Sequence, residues 1–152
     1  MKKIYYLICC CIFPLCVSAY DAEINGIYYN LEVSEKMATV TQKYDSESNQ
    51  SAYYGDVIIP STIIYNGETY NVKNIGNAAF FNCANVTSVT IPKSIIRIGD
   101  AAFANCTGLD AVYISDFDAW CAASISREGG NPLNYANHLY LNGAGTLCIL
   151  TR

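Results

Sequence analysis

Covalent catalysis needs a nucleophile, a base beside it and a third group that orients the base; few residues in this 152-residue chain qualify. His138 is the only histidine and stands in the run HLYLNG. Of eight cysteines, Cys9, Cys10, Cys11 and Cys16 fall before Tyr20, leaving Cys83, Cys106, Cys121 and Cys148. Cys121 and His138 are the one conceivable thiolate–imidazole pair. An activated thiol needs an exposed, electropositive setting, whereas a cysteine beside Trp120 on a short apolar helix is expected in the core. No catalytic residue is assigned, and the chain reads as a non-enzyme. The four cysteines lack the close paired spacing of a metal site, and Asp116 and Asp118 are explained by helix capping. No metal and no cofactor are expected.

The elements that hold these residues follow from an internal repeat, the feature to seek first. Residues 72–91 (VKNIGNAAFFNCANVTSVTI) align without a gap on residues 95–114 (IIRIGDAAFANCTGLDAVYI), with nine of 20 positions identical and a period of 23. Ile75/Ile98, Gly76/Gly99, Ala79/Ala102, Phe80/Phe103, Cys83/Cys106, Val89/Val112 and Ile91/Ile114 are among the matches. Each unit ends in a short alternating strand, with Val89 and Ile91 or Val112 and Ile114 on one face and Ser88/Thr90 or Ala111/Tyr113 on the other. The AAF segment has the composition of a helical or tight turn, and Gly76 or Gly99 is expected to supply the bend before it. Such a unit cannot bury its own apolar face, so the units must stack.

The flanks extend the stack. Asn25-Gly26 and Asn66-Gly67 are hairpin turn signals, residues 38–41 alternate as a strand, and residues 45–51 are a polar loop. Residues 20–71 are therefore expected to be an N-terminal β cap and lead-in, with residues 57–60 as the strand preceding residues 89–92. Downstream, Ser115 is a helix N-cap candidate with Asp118 three positions on, predicting a helix from Phe117 to about Ser124. Phe117 and Trp120 would then cover the stack. Leu139-Tyr140-Leu141 repeats Val112-Tyr113-Ile114 at a spacing longer than the regular period. Residues 72–94 and 95–115 are thus regular units, 116–141 an enlarged irregular one, and 142–152 a C-terminal tail. Residues 147–149 fall about where a further strand would begin, so the tail reads as a truncation of a longer array.

The pattern IG-x-x-AF-x-x-C-x-x-L-x-x-V-x-IP, which IGNAAFFNCANVTSVTIP and IGDAAFANCTGLDAVYIS follow nearly throughout, resembles the BspA-like leucine-rich repeats of bacterial surface proteins. The resemblance covers about residues 24–143, including the lead-in YGDVIIPSTIIYNGETYNVKNIG and the variant downstream segment AWC…NPL…HLYLNG. It implies a repeat solenoid, mainly β with short helical turns, displayed at the surface and binding host or bacterial proteins.

Within such a stack, Ile58, Thr90, Tyr113 and Tyr140 form an outward line of equivalent strand positions, the candidate contact surface for a ligand. Cys83 and Cys106 recur at one position of consecutive units and point the same way, so buried thiols are expected rather than a bridge. Asn82 and Asn105 are read as turn residues bonded to backbone, and the acceptor patterns at Asn85 and Asn105 as decoys.

Residues 1–19 carry Lys2 and Lys3, then an apolar run from Ile4 to Val17, then Val17-Ser18-Ala19, the layout of a secretory signal peptide cleaved after Ala19. The run is short of the roughly 20 residues that span a bilayer, and no small residue precedes a cysteine to make a lipid anchor. The remaining chain has seven basic and 13 acidic residues, net −6, with no basic cluster. Nucleic acid and anionic membranes are excluded as partners; the membrane is met only through the signal peptide. The expected role is non-catalytic recognition or adhesion through a protein partner, secreted or at the cell surface. A carbohydrate-binding module, suggested by the chain's tyrosines and Trp120, is the alternative, and a remnant of a longer surface protein a third reading.

Overall fold

The protein is described by a computed structural model over residues 20–42 and 53–141, with the backbone of 146–148. The expected signal peptide, the polar loop at 45–51 and most of the tail lie outside the described residues.

Two Asn-Gly pairs set the first strands. Asn25-Gly26 (φ 51° and 75°) joins β1 (Ala22–Ile24) to β2 (Ile27–Glu32). β3 (Met37–Thr41) and β4 (Gly55–Ile58) follow, and Asn66-Gly67 (φ 51° and 79°) joins β5 (Thr62–Tyr65) to β6 (Glu68–Ile75). Successive left-handed residues give a two-residue turn whose twist matches that of the strands it joins. The repeats contribute β7 (Val86–Ile91), β8 (Arg97–Ile98) and β9 (Ala111–Ile114). The helix α1 (Phe117–Ala122), β10 (Ser124–Ile125), a 3₁₀ turn (Pro132–Asn134), β11 (His138–Leu141) and β12 (Thr146–Cys148) complete the order.

The strands form two sheets. One runs β1-β2-β3-β6-β8-β10, with β5 on β6, and is parallel from β3 to β10; the other runs β12-β11-β9-β7-β4, parallel except at β12. The register follows the repeat period, pairing Ile75 with Ile98 and Val89 with Val112. It also carries β4 and β11, with Val57 opposite Val89 and Leu139 opposite Val112. Val40, Ile75 and Ile98 from the first sheet and Val57, Val89, Val112 and Leu139 from the second are buried in one core. A file of rings runs through it: Tyr20 on Tyr28, Tyr28 on Tyr53, Tyr53 on Phe80 and Phe80 stacked on Phe103, with centroids 4.6, 5.7, 4.6 and 4.9 Å apart. Tyr53, from the lead-in, thus takes the place that phenylalanine holds in the regular units.

The turns between the sheets depart from the glycine expectation. The left-handed residues are Ala78 and Asn82, and equivalently Ala101 and Asn105 (φ 54°, 60°, 52° and 62°), not the glycines of the IG pair. Gly76 and Gly99 are needed instead for close approach, because their N–H groups donate to Val40 O and Ile75 O in the preceding layer. A Cβ on Gly99 would stand 2.2 Å from Asn77 Oδ1 and 2.8 Å from Asn77 N. The AAF segment is a run of tight turns rather than a helix. Alternate N–H groups donate to the next unit: Ala78, Phe80 and Asn82 to the carbonyls of Asp100, Ala102 and Ala104. Stacking therefore satisfies the polar backbone of the turns as well as burying their apolar side chains.

Other corrections concern the C-terminal side. The N-cap of α1 is Asp116, whose Oδ1 accepts from Ala119 N at 2.8 Å, while Ser115 Oγ accepts from Lys93 N. The helix stops at Ala122 because β8 captures Ser124 and Ile125 as a parallel strand. None of its residues is buried: Trp120 packs on the core, Phe117 is 47% exposed and Cys121 is exposed. One helix turn laid on the stack by Trp120 turns Cys121, about 100° further round, away from it. Finally, β12 folds back antiparallel on β11 instead of starting a further parallel strand.

Candidate functional site

The period-two alternation of the second sheet decides which side chains face outward. Inward positions are apolar and mostly buried; outward positions fall into two rows. Ile58, Thr90, Tyr113 and Tyr140 are mutually registered across β4, β7, β9 and β11, so all four residues of the expected contact line are brought together. Ile58 is 69% exposed, the other three are half-buried, and Tyr113 stacks on Tyr140 at 4.9 Å and 15°.

The second row was not singled out from the sequence. Two positions earlier on each strand stand Asp56, Ser88, Ala111 and His138, registered in the same way. The signal was available, since side chains at i and i−2 share a face. Asp56 Oδ1 accepts from Thr87 Oγ1 at 2.8 Å and Ser88 Oγ at 2.7 Å. The hydroxyls of Ser88 and Thr87 hold its carboxyl below the usual aspartate range. Asp110, just before β9, accepts from Asn137 Nδ2 at 2.9 Å and lies 3.4 Å from His138 Nδ1. The rows border a groove of about 840 Å³ whose walls include Asp56, Ile58, Thr90, Asp110 and Tyr113; Tyr140 stands just beyond it. The lining holds two carboxylates and no lysine or arginine.

The conceivable Cys121–His138 pair is not assembled. His138 opens β11, level with the start of β9, where its neighbours are Asp110 and Tyr140; Cys121 lies in α1, beyond the far end of β9. Cys83 and Cys106 are buried thiols. Cys106 Sγ donates to Phe80 O at 3.0 Å, and its hydrogen bond with Cys83, with burial second, pushes its titration far up. A thiol so held is a poor nucleophile. Asn105 Nδ2 donates to Asn82 Oδ1 at 2.9 Å, so these side chains bond across units and not, as expected, to backbone. Left-handed φ at both positions aims equivalent amides at one another. Among the described residues no cluster of histidine, cysteine and acidic side chains could hold a metal ion. Nor is any helix there long and apolar enough to cross a membrane.

Two sheets built from one recurring strand–turn unit, with a continuous outer strand face, define a leucine-rich repeat protein. Residues 48–119 match the family model described as "BspA type Leucine rich repeat region (6 copies)". Residues 48–119 thus carry BspA-type leucine-rich repeats. A leucine-rich repeat protein from Bacteroides ovatus is similar at 32% identity and a TM-score of 0.54, over 66% of this chain and 24% of that one. One from Bacteroides capillosus is similar at 27% identity and a TM-score of 0.50, over 80% of this chain and 98% of that one. The chain therefore spans about a quarter of the length of the first. No curated protein matches it. Leucine-rich repeats generally mediate protein–protein interactions and are typically non-catalytic.

Proposed function

We propose that the chain is an exported, non-catalytic recognition module that binds a protein partner through the outer face of its second sheet. The row Ile58–Thr90–Tyr113–Tyr140 supports this reading best: it is a registered, partly apolar strip on rigid strands, and aromatic side chains are favoured at interfaces. Residues 20–71 act as the N-terminal β cap of a solenoid whose units are 72–94, 95–115 and 116–141, followed by the tail 142–152. Residues 1–19 direct export, giving a secreted or surface-displayed adhesion or recognition protein. A polysaccharide partner is less well supported, because Tyr113 and Tyr140 spend a ring face on each other and a sugar stacks on an open one.

The test is surface plasmon resonance of the chain against a panel of purified host and bacterial surface proteins, with a glycan array in parallel. Binding to a protein, weakened about tenfold or more by Tyr113→Ala or Tyr140→Ala as for an aromatic hot spot, is the expected result. Binding unchanged in both variants refutes the face, and retention on glycans alone refutes the protein partner.

A further inference from the structure

The recognition face contains a slot whose chemistry selects one kind of side chain. Tyr113 and Tyr140 stack at the spacing of neighbouring strands, which turns the other face of Tyr113 toward the Thr90 column. Beyond Thr90 stands Ile58, the next residue of the row, 69% exposed. Two strand spacings, about 9.6 Å, separate the Ile58 and Tyr113 columns. Thr90 between them is short, so the row is notched where one flat group fits. The end of the notch carries the Asp56 carboxylate, oriented by Thr87 and Ser88, and Asp110 stands beyond the small Ala111. The slot thus has an aliphatic wall, an aromatic wall and two carboxylates, with no basic residue in its lining.

We propose that this slot takes an arginine side chain presented by the protein partner. This rests on the reading of the outer face as a recognition surface and names what it recognises. The methylenes of an arginine lie along Ile58, its guanidinium covers the open face of Tyr113, and its N–H fork meets the Asp56 carboxylate. A planar, weakly hydrated cation satisfies all three walls at once. Lysine offers a point charge without the plane, and a sugar leaves the carboxylates uncompensated. The net charge of −6 expected for the chain from Tyr20 onward adds a long-range attraction for a basic partner.

The experiment is a ¹H–¹⁵N NMR titration of the chain with the pentapeptide acetyl-Gly-Thr-Arg-Thr-Gly-amide and with its citrulline counterpart, which keeps the plane and loses the charge. Arginine is expected to shift the amides of Ile58, Thr90 and Tyr113, and citrulline to shift them at least about threefold less. Asp56→Asn keeps an oxygen for Thr87 and Ser88 while removing the charge, and Tyr113→Leu keeps bulk while removing the ring. Each should abolish the shifts in a protein whose remaining spectrum is unchanged. Equal shifts with citrulline, shifts confined to other residues, or full binding in both variants overturn the proposal. The partner panel separates the two failures. If partner binding is lost in Tyr113→Ala but arginine shifts nothing, recognition stands and the arginine slot falls. If arginine saturates the slot but no protein binds, the slot stands and the recognition reading falls.

Discussion

Gly99→Ala is the sharpest test of how the layers fit. A Cβ there would lie 2.2 Å from Asn77 Oδ1, 2.8 Å from Asn77 N and 3.0 Å from the carbonyl carbon of Gly76. The first atom belongs to a side chain that can swing away; the other two are backbone, held by the Gly99 N–H bond to Ile75 O at 2.9 Å. Relief therefore requires the layers to part by several tenths of an ångström. Overpacking of this kind costs about 1–3 kcal/mol, against a gain of about 0.4–1 kcal/mol from the stiffer unfolded chain. The net expectation is a loss of about 1–2 kcal/mol, read as a lower urea midpoint at unchanged slope. Asn77→Ala in the same background removes the nearest clash but forfeits the bond from Asp100 N to Asn77 Oδ1, itself worth about 1 kcal/mol. The double variant should therefore remain destabilised. If Gly99→Ala changes stability by no more than the roughly 0.5 kcal/mol of an ordinary surface substitution, or the double variant recovers fully, backbone proximity is not what fixes glycine there.

The remaining predictions follow from single contacts. Phe103→Ala removes a fully buried ring from the end of the aromatic file and should cost about 3–5 kcal/mol by chemical unfolding. With a folded-state pKa below that of the unfolded chain, Asp56 adds stability that is present above the unfolded value and lost as pH falls through the folded one. Ser88→Ala should accordingly move the Asp56 carboxyl back toward its ordinary value in an NMR titration, and no movement would dismiss the hydroxyl as the cause. In native protein a thiol reagent should modify Cys121 quickly and Cys83 and Cys106 only at the rate of unfolding. Intact mass unchanged by reduction would exclude a bridge between the two buried thiols.

Legibility in the sequence followed physical constraint. Ile75, Phe80, Val89 and their partners one period on are confined to one shape by the core, and the period was plain in the types themselves. The two Asn-Gly turns were equally plain, because few residues tolerate successive left-handed conformations. Where two constraints give the same residue, the cause was hidden: glycine in the IG pair signals a bend or a close approach, and only the path of the preceding layer distinguishes them. Ala78 and Ala101 carry the strained φ without any signal, since alanine is an uncommon choice for it. Cys121 illustrates a third limit. In so short a helix as α1, one residue's position round the axis reverses its exposure, and one tryptophan sets the orientation.

The candidate site was half legible for a related reason. A strand in a stack is held by its inward residues and by hydrogen bonds between backbones, so neither constrains the outward side chains. Ser88, Ala111 and His138 occupy equivalent positions, as do Thr90, Tyr113 and Tyr140, and no packing rule relates one member of a set to the next. Their variety over a regular frame allows a groove to carry chemistry at all: the short Thr90 between Ile58 and Tyr113 makes the notch, and Asp56 next to two hydroxyls fixes the charge at its end. The frame should accordingly be indifferent to that chemistry. Exchanging Thr90 and Tyr113 in a double variant keeps both β-favouring residues on the same face but breaks the Tyr113–Tyr140 stack, so it should cost no more than the roughly 0.5–1.5 kcal/mol of one aromatic pair. It closes the notch beside Ile58 and should abolish the arginine shifts. A large loss of stability would mean that the outer rows hold the stack together; retained binding would mean that the notch is not what selects the ligand.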